Sequence, residues 1–395
     1  MNILMVAHFT TMPEENGNNR FNYLAKILGE KGHDVTLVTT SFSHNDKDQR
    51  LSENRKISDH YNIELCYEPG YKKNVSLQRF HSHYIWGKNV KACLDKKIKP
   101  DVVYCAVPSL TAPLMAAKYC EQNNIKFIID VQDLWPEAFQ MVFNIPVISN
   151  VIFVPFKWLA NGIYKRADEI IAVSQTYVDR ALSVNKKCKT GHSVFLGTEL
   201  KTFDENAKKN TVLKKPEDEI WLAYCGTLGS SYDLSNALLA VNKARIPNLK
   251  FIIMGDGPMM KQFKDYATKL GVNAVFTGRL PYDDMCSVLC NCDITINPIM
   301  HGAAQSIINK HADYLSSGLP IINTQESREF CDLIQKYNCG INCRNSEVGD
   351  IVEALLQLCN NKKLRYEMGL NARRCAEELF DRMRTYNLIV KIIEN

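Results

Sequence analysis

The sequence lacks several short motifs that would mark common metal and nucleotide sites. It has no Cys-x-x-Cys pair, and its fourteen cysteines are scattered, with no histidine at zinc spacing beside the closest group, Cys286, Cys290 and Cys292. The absence of Gly-x-x-x-x-Gly-Lys-Ser/Thr argues against a P-loop enzyme, and the absence of Gly-x-Gly-x-x-Gly after the first predicted strand argues against a nicotinamide dehydrogenase. The cysteines are therefore expected to be reduced core thiols, and no metal site is predicted.

Long apolar runs are missing as well. No window holds 18 uninterrupted apolar residues, and the N-terminus shows neither a basic leader nor a cleavage site, so neither a membrane span nor a signal peptide is predicted. The 395 residues, 46% of them hydrophobic, suffice for two domains of about 200 residues each. Residues 1–195 hold 24 Lys and Arg against 19 Asp and Glu and carry the whole net charge of +5. This excess indicates an anionic partner for the first half or, equally, an ordinary soluble surface.

Strand-like and helix-like segments alternate along both halves of the chain. Predicted strands of the first half lie at 3–7, 34–39, 63–67, 102–106, 126–131 and 169–173. The pattern restarts after the lysine-rich stretch 201–219, with strands at 220–224, 251–254, 275–277, 294–298 and 320–323. This predicts two tandem doubly wound α/β domains, residues 1–198 and 199–375, with a helix at about 376–395 packing back on the first. Ligands of such sheets bind at the carboxyl ends of the strands, so the expected site is a cleft between the domains.

The most informative segment is 305–322, where polar residues lead into a short helix that ends at Gly-Leu-Pro. Asn309 can cap this helix, and Lys310 and Asp313, three residues apart, share one face. A lysine and a carboxylate near a helix N-terminus suit a ligand with a diphosphate and a ribose. An ordinary surface helix with one ion pair is the alternative. The glycine loops at 226–229 and 255–258 follow predicted strands and precede helices, where backbone N–H groups can hold phosphate.

Several motifs in register carry a resemblance to a known family. They are Gly17-Asn-Asn-Arg20, Val131-Gln-Asp133-Leu-Trp-Pro136-Glu, Ala167-Asp-Glu-Ile-Ile-Ala-Val-Ser174, Gly226-Thr-Leu-Gly, Met254-Gly-Asp-Gly-Pro and Asp313-Tyr-Leu-Ser-Ser-Gly-Leu-Pro. With these motifs, the sequence resembles the family-4, retaining glycosyltransferases of bacterial surface-polysaccharide synthesis. The GT-B fold of that family has two Rossmann-like domains facing across a cleft. The Asp-Leu-Trp-Pro-Glu segment is similar to a signature of the subset that resembles N-acetylamino-sugar transferases.

The resemblance implies roles for individual residues. It places Gln305 on the sugar, Lys310 and the Gly226 loop at the phosphates, Asp313 on the ribose, and Gln132 and Asp133 at the reacting centre. The implied catalytic residues are Gln305, Lys310, Gln132 and Asp133. The implied donor-binding residues are Gly17, Asn18, Gly226, Thr227, Gly257, Arg279, Asn309, Lys310 and Asp313.

The sequence also departs from the family's pattern. Its Glu-x7-Glu motif falls here on Gln305 and Asp313, and Gln132 stands where many members have histidine. The usual Arg and Lys after the Gly226 loop are replaced by Ser230, Ser231, Tyr232 and Asp233. Lys310 and Arg279 would then supply the positive charge for the diphosphate. These changes leave the identity of the donor sugar open.

The resemblance implies a reaction without metal or cofactor. Loop amides, a helix N-terminus and a basic side chain would stabilise the leaving diphosphate, most simply that of a UDP-sugar. No Asp-x-Asp lies at a strand end, since Asp46-Lys-Asp48 falls in a polar loop. No general base stands out, which fits a retaining mechanism in which the departing phosphate takes the acceptor proton.

Two basic, aromatic-rich segments bear on the acceptor. Residues 77–99 and 151–166 interleave lysine and arginine with phenylalanine, tyrosine and tryptophan, as segments at membrane interfaces do. They favour a cytoplasmic protein held at the inner face of the cell membrane, with a polyprenyl-diphosphate-linked sugar or another saccharide as acceptor and no nucleic acid as partner. The alternative is a pair of core-facing helices with solvated lysines.

Two other functions stay open. A non-hydrolysing UDP-sugar 2-epimerase has the same twin-domain architecture and needs cleft carboxylates and a histidine, for which His301 and His311 are near enough in sequence. A catalytically silent nucleotide-sugar-binding protein is the other alternative, because Gln305 and the segment 230–233 depart from the family.

Overall fold

A computed structural model describes residues 1–13, 15, 20–50, 55–57 (backbone only), 60–74, 76–138, 153–209, 211–302, 306–345 and 347–395. The chain forms two compact units. The first comprises Met1–Phe195 together with Tyr386–Asn395, and the second comprises Leu196–Thr385. None of the helices in these residues is long and apolar enough to cross a membrane.

The first unit is built on one sheet of order β3-β4-β2-β1-β5-β6-β7-β8, in which the short β3 alone runs antiparallel to its neighbour. Its strands are β1 Asn2–Val6, β2 Asp34–Thr40, β3 Arg55–Ile57, β4 Tyr61–Cys66, β5 Val102–Val107, β6 Lys126–Val131, β7 Glu169–Ala172 and β8 His192–Ser193. Its helices are α1 Arg20–Glu30, α2 Leu77–Lys96, α3 Thr111–Asn123, α4 Val154–Tyr164 and α5 Gln175–Leu182. Strands such as β5 are buried along their whole length and are continuously apolar, which is typical of a parallel sheet covered on both faces.

The second unit has a parallel sheet of order β11-β10-β9-β12-β13-β14. Its strands are β9 Ile220–Cys225, β10 Leu249–Met254, β11 Ala274–Gly278, β12 Ile294–Asn297, β13 Ile321–Asn323 and β14 Gly340–Asn342. Its helices are α6 Leu200–Ala207, α7 Leu234–Ala244, α8 Met260–Leu270, α9 Tyr282–Cys290, α10 Asn309–Ser316, α11 Arg328–Tyr337, α12 Val348–Asn360 and α13 Lys362–Cys375. Two such sheets confirm the predicted pair of doubly wound domains.

The end of the chain returns to the first unit. A π-helical segment, Ala376–Phe380, precedes the last helix, α14, Arg382–Glu394. Tyr386, Ile389 and Ile393 of α14 are fully buried in the same core cluster as β1 and α1. The cysteines are unpaired, and most are buried, where they pack as small apolar side chains.

Candidate functional site

In the second unit, two glycines come together at the carboxyl ends of neighbouring strands. Gly226 follows β9 and Gly255 follows β10, with φ values of 140° and 149° that side chains rarely adopt. A Cβ on Gly255 would lie 1.8 Å from the carbonyl oxygen of Gly226, so the two turns can meet only because Gly255 has no side chain. The N–H of Gly226 donates to Met254 O at 2.9 Å. Because this N–H is engaged, the donors that the loop leaves for a phosphate are those of Thr227 and Gly229, for which the described residues supply no acceptor.

Lys310 reaches this loop from the first turn of α10. Its ammonium lies 4.3 Å from the ring centroid of Tyr224 and 3.8 Å from that of Tyr232, and it donates to the Tyr224 hydroxyl at 3.2 Å. A Cβ on Gly226 would lie 3.0 Å from Lys310 Nζ, which puts the charge directly beside the glycine turn. Within the described residues no carboxylate pairs with Lys310, and burial lowers its pKa to about 7. The aromatic faces hold the cation in place, and its charge is left for an anion.

Asp313 lies one turn further along α10 and has different partners. The Tyr282 hydroxyl donates to Asp313 Oδ1 at 2.8 Å and lies 2.9 Å from the Thr198 hydroxyl. Burial raises the pKa of Asp313 to about 6, while the hydrogen bond from Tyr282 and the charge of Arg382 oppose that rise. The ion pair between Lys310 and Asp313 that an ordinary surface helix would show does not form in the structure. The two charged groups remain separate.

The start of α10 differs from the prediction in one detail. The helix begins at Asn309, with Ile308 at the N-cap position, so the predicted capping by Asn309 is wrong. The cap interaction comes from His311, whose Nδ1 accepts from Ile308 N at 3.3 Å. His311 is fully buried and stacks on Phe330 at 3.4 Å, so its role here is structural. Asn309 itself is exposed in the first turn.

The other predicted donor residues are spread around the same edge or lie outside the described residues. Thr227 is exposed, and its carbonyl accepts from the Tyr224 hydroxyl at 2.7 Å. A Cβ on Gly257 would lie 2.4 Å from Leu228 O, so Gly257 keeps the two loops in contact. Arg279 is exposed and makes no hydrogen bond or ion pair with the described residues. Gly17, Asn18 and Gln305 lie outside the described residues.

In the first unit, Gln132 and Asp133 follow β6. Gln132 Nε2 donates to Asp130 Oδ1 at 2.6 Å, and Asp130 forms a buried ion pair with Arg20 at 2.7 Å. Asp133 accepts from its neighbours, the Leu134 backbone N–H at 2.9 Å and the Trp135 indole at 3.2 Å. Burial raises the pKa of Asp133, whereas these hydrogen bonds act to lower it. Both side chains are thus fixed in orientation by the segment around them.

Sequence reasoning missed a second polar network at this edge. His8 follows β1, Glu68 follows β4 and Ser109 follows β5. His8 Nε2 lies 2.7 Å from Glu68 Oε2, and His8 Nδ1 lies 2.9 Å from Ser109 Oγ. Glu68 also accepts from Thr40 at 2.6 Å and from Ser82 at 2.7 Å. Burial disfavours its charge, but His8 and these hydrogen bonds outweigh burial and lower the pKa of Glu68. The sequence signal that could have revealed this network is a polar residue directly after each predicted buried strand.

The ligand atoms of His8, Glu68 and His83 lie within 4.8 Å of one another, close enough for a metal ion. Their chemistry fits such an ion poorly. Both ring nitrogens of His8 are already hydrogen-bonded, and the positive charge of Arg79, which acts on His83, would repel a cation. We therefore assign His8 and Glu68 to the hydrogen-bonded framework of the edge, and His83 packs edge-on against His8 with ring centroids 4.6 Å apart.

Two units built on largely parallel sheets, the second with glycine turns at the carboxyl ends of its strands, are typical of nucleotide-binding α/β proteins. Comparisons with known proteins identify the class more closely. Residues 17–188 match the model of "Glycosyltransferase Family 4", and residues 205–375 match that of "Glycosyl transferases group 1". The chain therefore carries the two domains of a GT-B glycosyltransferase, as the resemblance predicted.

Individual relatives are distant. An uncharacterized glycosyltransferase of Methanocaldococcus jannaschii is 22% identical over 242 residues, which span 60% of this chain and 61% of that protein. Among solved structures, sucrose-phosphate synthase from Thermosynechococcus elongatus has a TM-score of 0.75 at 14% identity, covering 100% of this chain and 98% of its own. WaaG, a glycosyltransferase involved in lipopolysaccharide biosynthesis, has a TM-score of 0.66 at 16% identity, covering 99% of each chain. Anabaena HepE in complex with UDP has a TM-score of 0.72 at 13% identity, covering 100% of both. These likenesses establish the fold.

Proposed function

We propose that this glycosyltransferase moves a sugar, with retention at the anomeric carbon, from a nucleoside diphosphate donor to a lipid-linked or saccharide acceptor in surface-polysaccharide synthesis. The observation that carries the donor half is Lys310, a buried lysine beside a glycine turn. Among the residues that the structure describes, no carboxylate pairs with Lys310 and no acceptor engages the N–H groups of Thr227 and Gly229. Such a site lacks only an anion. Structural neighbours were solved with UDP and UDP-glucose, which favours UDP as the nucleotide.

The chain's own groups account for the chemistry. Lys310 and the N–H groups of Thr227 and Gly229 stabilise the charge that develops on the leaving diphosphate, which is how preorganised dipoles and cations lower a barrier. Asp313 accepts hydrogen bonds from the ribose hydroxyls. Gln305 contacts the sugar, and its amide suits an N-acetylamino sugar, the donor class implied by the Asp-Leu-Trp-Pro-Glu segment. Gln132 and Asp133, fixed by their neighbours, contact the acceptor.

Donor binding is tested by calorimetry with UDP. Lys310→Ala should weaken UDP binding by about 1–3 kcal/mol, the free energy of a charge-assisted hydrogen bond that the variant cannot form. Lys250→Ala is the matched control, because Lys250 in the same unit already pairs with Glu219 at 3.0 Å. Unchanged UDP affinity in a folded Lys310→Ala protein would remove the donor assignment.

The reaction itself is tested with a labelled UDP-N-acetyl sugar in the presence and absence of a lipid-linked acceptor. Acceptor-dependent label in the lipid fraction, unaffected by EDTA, is the expected result. An epimerised nucleotide sugar without acceptor would identify an epimerase instead, and binding without turnover would identify a silent binding protein. The epimerase has weak support, since His311 is fully buried and the exposed His301 already contacts Glu326 at 2.8 Å.

We further propose that helices α2 and α4 hold the protein on an anionic membrane. Leu77 is 87% exposed, Trp158 is 71% exposed and Tyr84 is 50% exposed, and exposed lysines lie on the same helices. Phe80 of α2 packs on Phe156 of α4 at 5.0 Å, so the two helices are joined in one surface. Phe153 and Trp86 are buried, so their predicted share in membrane contact is wrong: both belong to the core.

Co-sedimentation with liposomes tests the membrane proposal. Each basic residue near an anionic surface is worth about 1 kcal/mol, and this attraction decays over about 8 Å at physiological salt, so binding should weaken with salt. The Leu77→Ser/Trp158→Ser variant should lose the salt-resistant remainder, because it removes apolar side chains that would insert. Leu356→Ser, at an exposed leucine of the second unit, is the control. Equal recovery on neutral and anionic vesicles would leave a soluble acceptor as the better assignment.

A further inference from the structure

Arg79, near the start of α2, differs from the other arginines of the first unit whose side chains are described. Each of those contacts a carboxylate: Arg20 with Asp130, Arg50 with Glu15, Arg166 with Glu121 and Arg180 with Glu137. Arg79 has no carboxylate within ion-pair distance among the described residues. An arginine stays charged at any physiological pH, and a half-buried charge without a counter-ion is costly. An anion that binds there would remove that cost.

The guanidinium of Arg79 is held by aromatic rings. It lies 4.8 Å from the ring of Trp135, 5.5 Å from that of Tyr71 and 5.6 Å from that of Phe9. One terminal nitrogen donates to Asn74 O at 2.8 Å, and the guanidinium also hydrogen-bonds the side chain of Tyr71, while Nε is buried without a hydrogen-bond partner. The side chain is therefore fixed in position with donor capacity to spare.

Two further basic side chains gather around Tyr71. Lys47 Nζ lies 4.9 Å from the Tyr71 ring and donates to Asn74 Oδ1 at 2.7 Å, and His44 Nδ1 is hydrogen-bonded to the Tyr71 hydroxyl. Burial, with the charges of Lys47, Arg79 and His8, lowers the pKa of His44 to about 4, and only Glu68 opposes it. Burial is the largest of these causes, and the charges of Lys47 and Arg79 add to it.

The carboxylates nearest Arg79 are already engaged. Glu68 accepts from His8, Thr40 and Ser82, and Asp133 accepts from Leu134 N and the Trp135 indole. The amino end of α2, where Ser76 Oγ accepts from Arg79 N at 3.2 Å, adds partial positive charge. An unsatisfied donor, Arg79 Nε, and a guanidinium charge that Glu68 and Asp133 offset only from beyond ion-pair distance thus lie at one place.

There is room for a ligand beside this cluster. A cavity of about 130 Å³ is lined by His8, Phe9, Thr11, Phe42, His44 and Arg50. A water molecule takes about 30 Å³ of liquid volume, so the cavity admits a group of several heavy atoms. Phe9 and His44 belong to both the cavity wall and the surroundings of Arg79 and Tyr71. Hydroxyls and imidazoles in that wall suit a polar, anionic group.

We propose that Arg79, with Lys47 and the amino end of α2, binds a phosphoryl group of the acceptor. Assigning the phosphate to the acceptor rests on the proposed function, whereas the anion site itself rests on the contacts around Arg79. The donor's phosphates have their own cation in Lys310, so the chain provides one cationic site for each substrate. A phosphorylated acceptor would be bound at its phosphate and would present its sugar hydroxyl to the reaction.

Calorimetric titration of inorganic pyrophosphate into the full chain, in saturating UDP, tests the site apart from the donor site. The wild type should bind pyrophosphate, and Arg79→Gln should bind it about tenfold or more weakly, as expected for a lost charge-assisted contact. Arg79→Lys should restore part of the affinity. Arg166→Gln, which removes an arginine that has its own carboxylate partner, should bind as the wild type does. If Arg79→Gln does not fold, Lys47→Gln is expected to show the same weakening.

Two further ligands distinguish a lipid-linked from a soluble phosphorylated acceptor. Farnesyl diphosphate binding more tightly than pyrophosphate would assign the site to a lipid-linked acceptor, and glucose 1-phosphate binding more tightly would assign it to a soluble one. No pyrophosphate binding by a wild type that binds UDP, or equal losses in Arg79→Gln and Arg166→Gln, would overturn the site. If UDP does not bind, the proposed function fails. The pyrophosphate comparison then continues in a Lys310→Ala background.

Discussion

At the carboxyl edges of the two sheets, charged groups are held in position in different ways. In the second unit the edge consists mainly of backbone: glycine turns in close contact, a single buried lysine and one carboxylate. In the first unit it consists of side chains that satisfy one another, such as His8 with Glu68 and Arg20 with Asp130. The edge of the second unit depends on the absence of Cβ atoms, whereas the edge of the first unit depends on hydrogen bonds and ion pairs between side chains. Changes at the two edges should therefore have different consequences.

The largest effect is expected where the backbone is most crowded. Gly255→Ala places a Cβ 1.8 Å from Gly226 O at a φ of 149°, so the two turns must separate. We expect a loss of more than about 4 kcal/mol in the free energy of unfolding, the range reserved for severe steric changes. Urea denaturation followed by tryptophan fluorescence measures it.

Gly349→Ala provides the matched control for that experiment. A Cβ there meets nothing within 4 Å, and Gly349 lies inside α12, where alanine is favoured by about 0.5–1 kcal/mol. Near-wild-type stability of Gly255→Ala would mean that the turns are not held in contact and would weaken the backbone account of the second edge.

An effect of intermediate size is expected on UDP affinity when the pH is changed. The pKa of Lys310 is about 7, below the ordinary lysine value, because burial disfavours its charged form. An anion binds best to protonated Lys310, so UDP affinity should be full below pH 7 and fall by about tenfold for each pH unit above it. Binding at pH 8 should therefore take up about one proton, which calorimetry in buffers of different ionisation enthalpy detects.

The Lys310→Arg variant tests whether Lys310 is the group whose titration changes UDP affinity. Arginine keeps its charge throughout the range, so UDP binding by this variant should lose the dependence above pH 7 even if its affinity is lower. The same slope in both proteins would place the titrating group elsewhere, for example on the nucleotide. It would then remove Lys310 as the ligand of the phosphates.

The difference between the edges also explains what the sequence could predict. The alternation of apolar strands and helices sufficed for both sheets, because continuous apolar runs such as that of β5 indicate buried parallel strands. The segment around Lys310 and Asp313 was found because its residues are adjacent in sequence. His8, Glu68 and Ser109 were missed because each is ordinary alone and only the strand order β4-β2-β1-β5 brings them together.

The spacing of residues in the sequence also did not predict which side chains are buried. Phe153 and Trp158 lie in one basic, aromatic segment, yet Phe153 is 7% exposed and Trp158 is 71% exposed. Likewise Lys310 and Asp313 were expected on one face, but the lysine lies among tyrosine rings and the aspartate contacts Tyr282. Which neighbour each side chain meets depends on residues far away in the sequence, here Tyr232 and Tyr282.

The smallest expected effect concerns Tyr282, which connects Thr198 to Asp313 by its hydroxyl. Tyr282→Phe removes a hydrogen bond to the carboxylate, so the pKa of Asp313, already about 6 through burial, should rise further. Near neutral pH a larger share of Asp313 would then be protonated and less able to accept from a ribose hydroxyl. The KM for the donor should rise by up to about fivefold with kcat little changed, since a hydrogen bond to the ribose contributes about 1 kcal/mol. At pH 8 the KM of Tyr282→Phe should approach that of the wild type at the same pH, because Asp313 ionises again, whereas a purely structural role of Tyr282 would leave the ratio of the two KM values unchanged with pH.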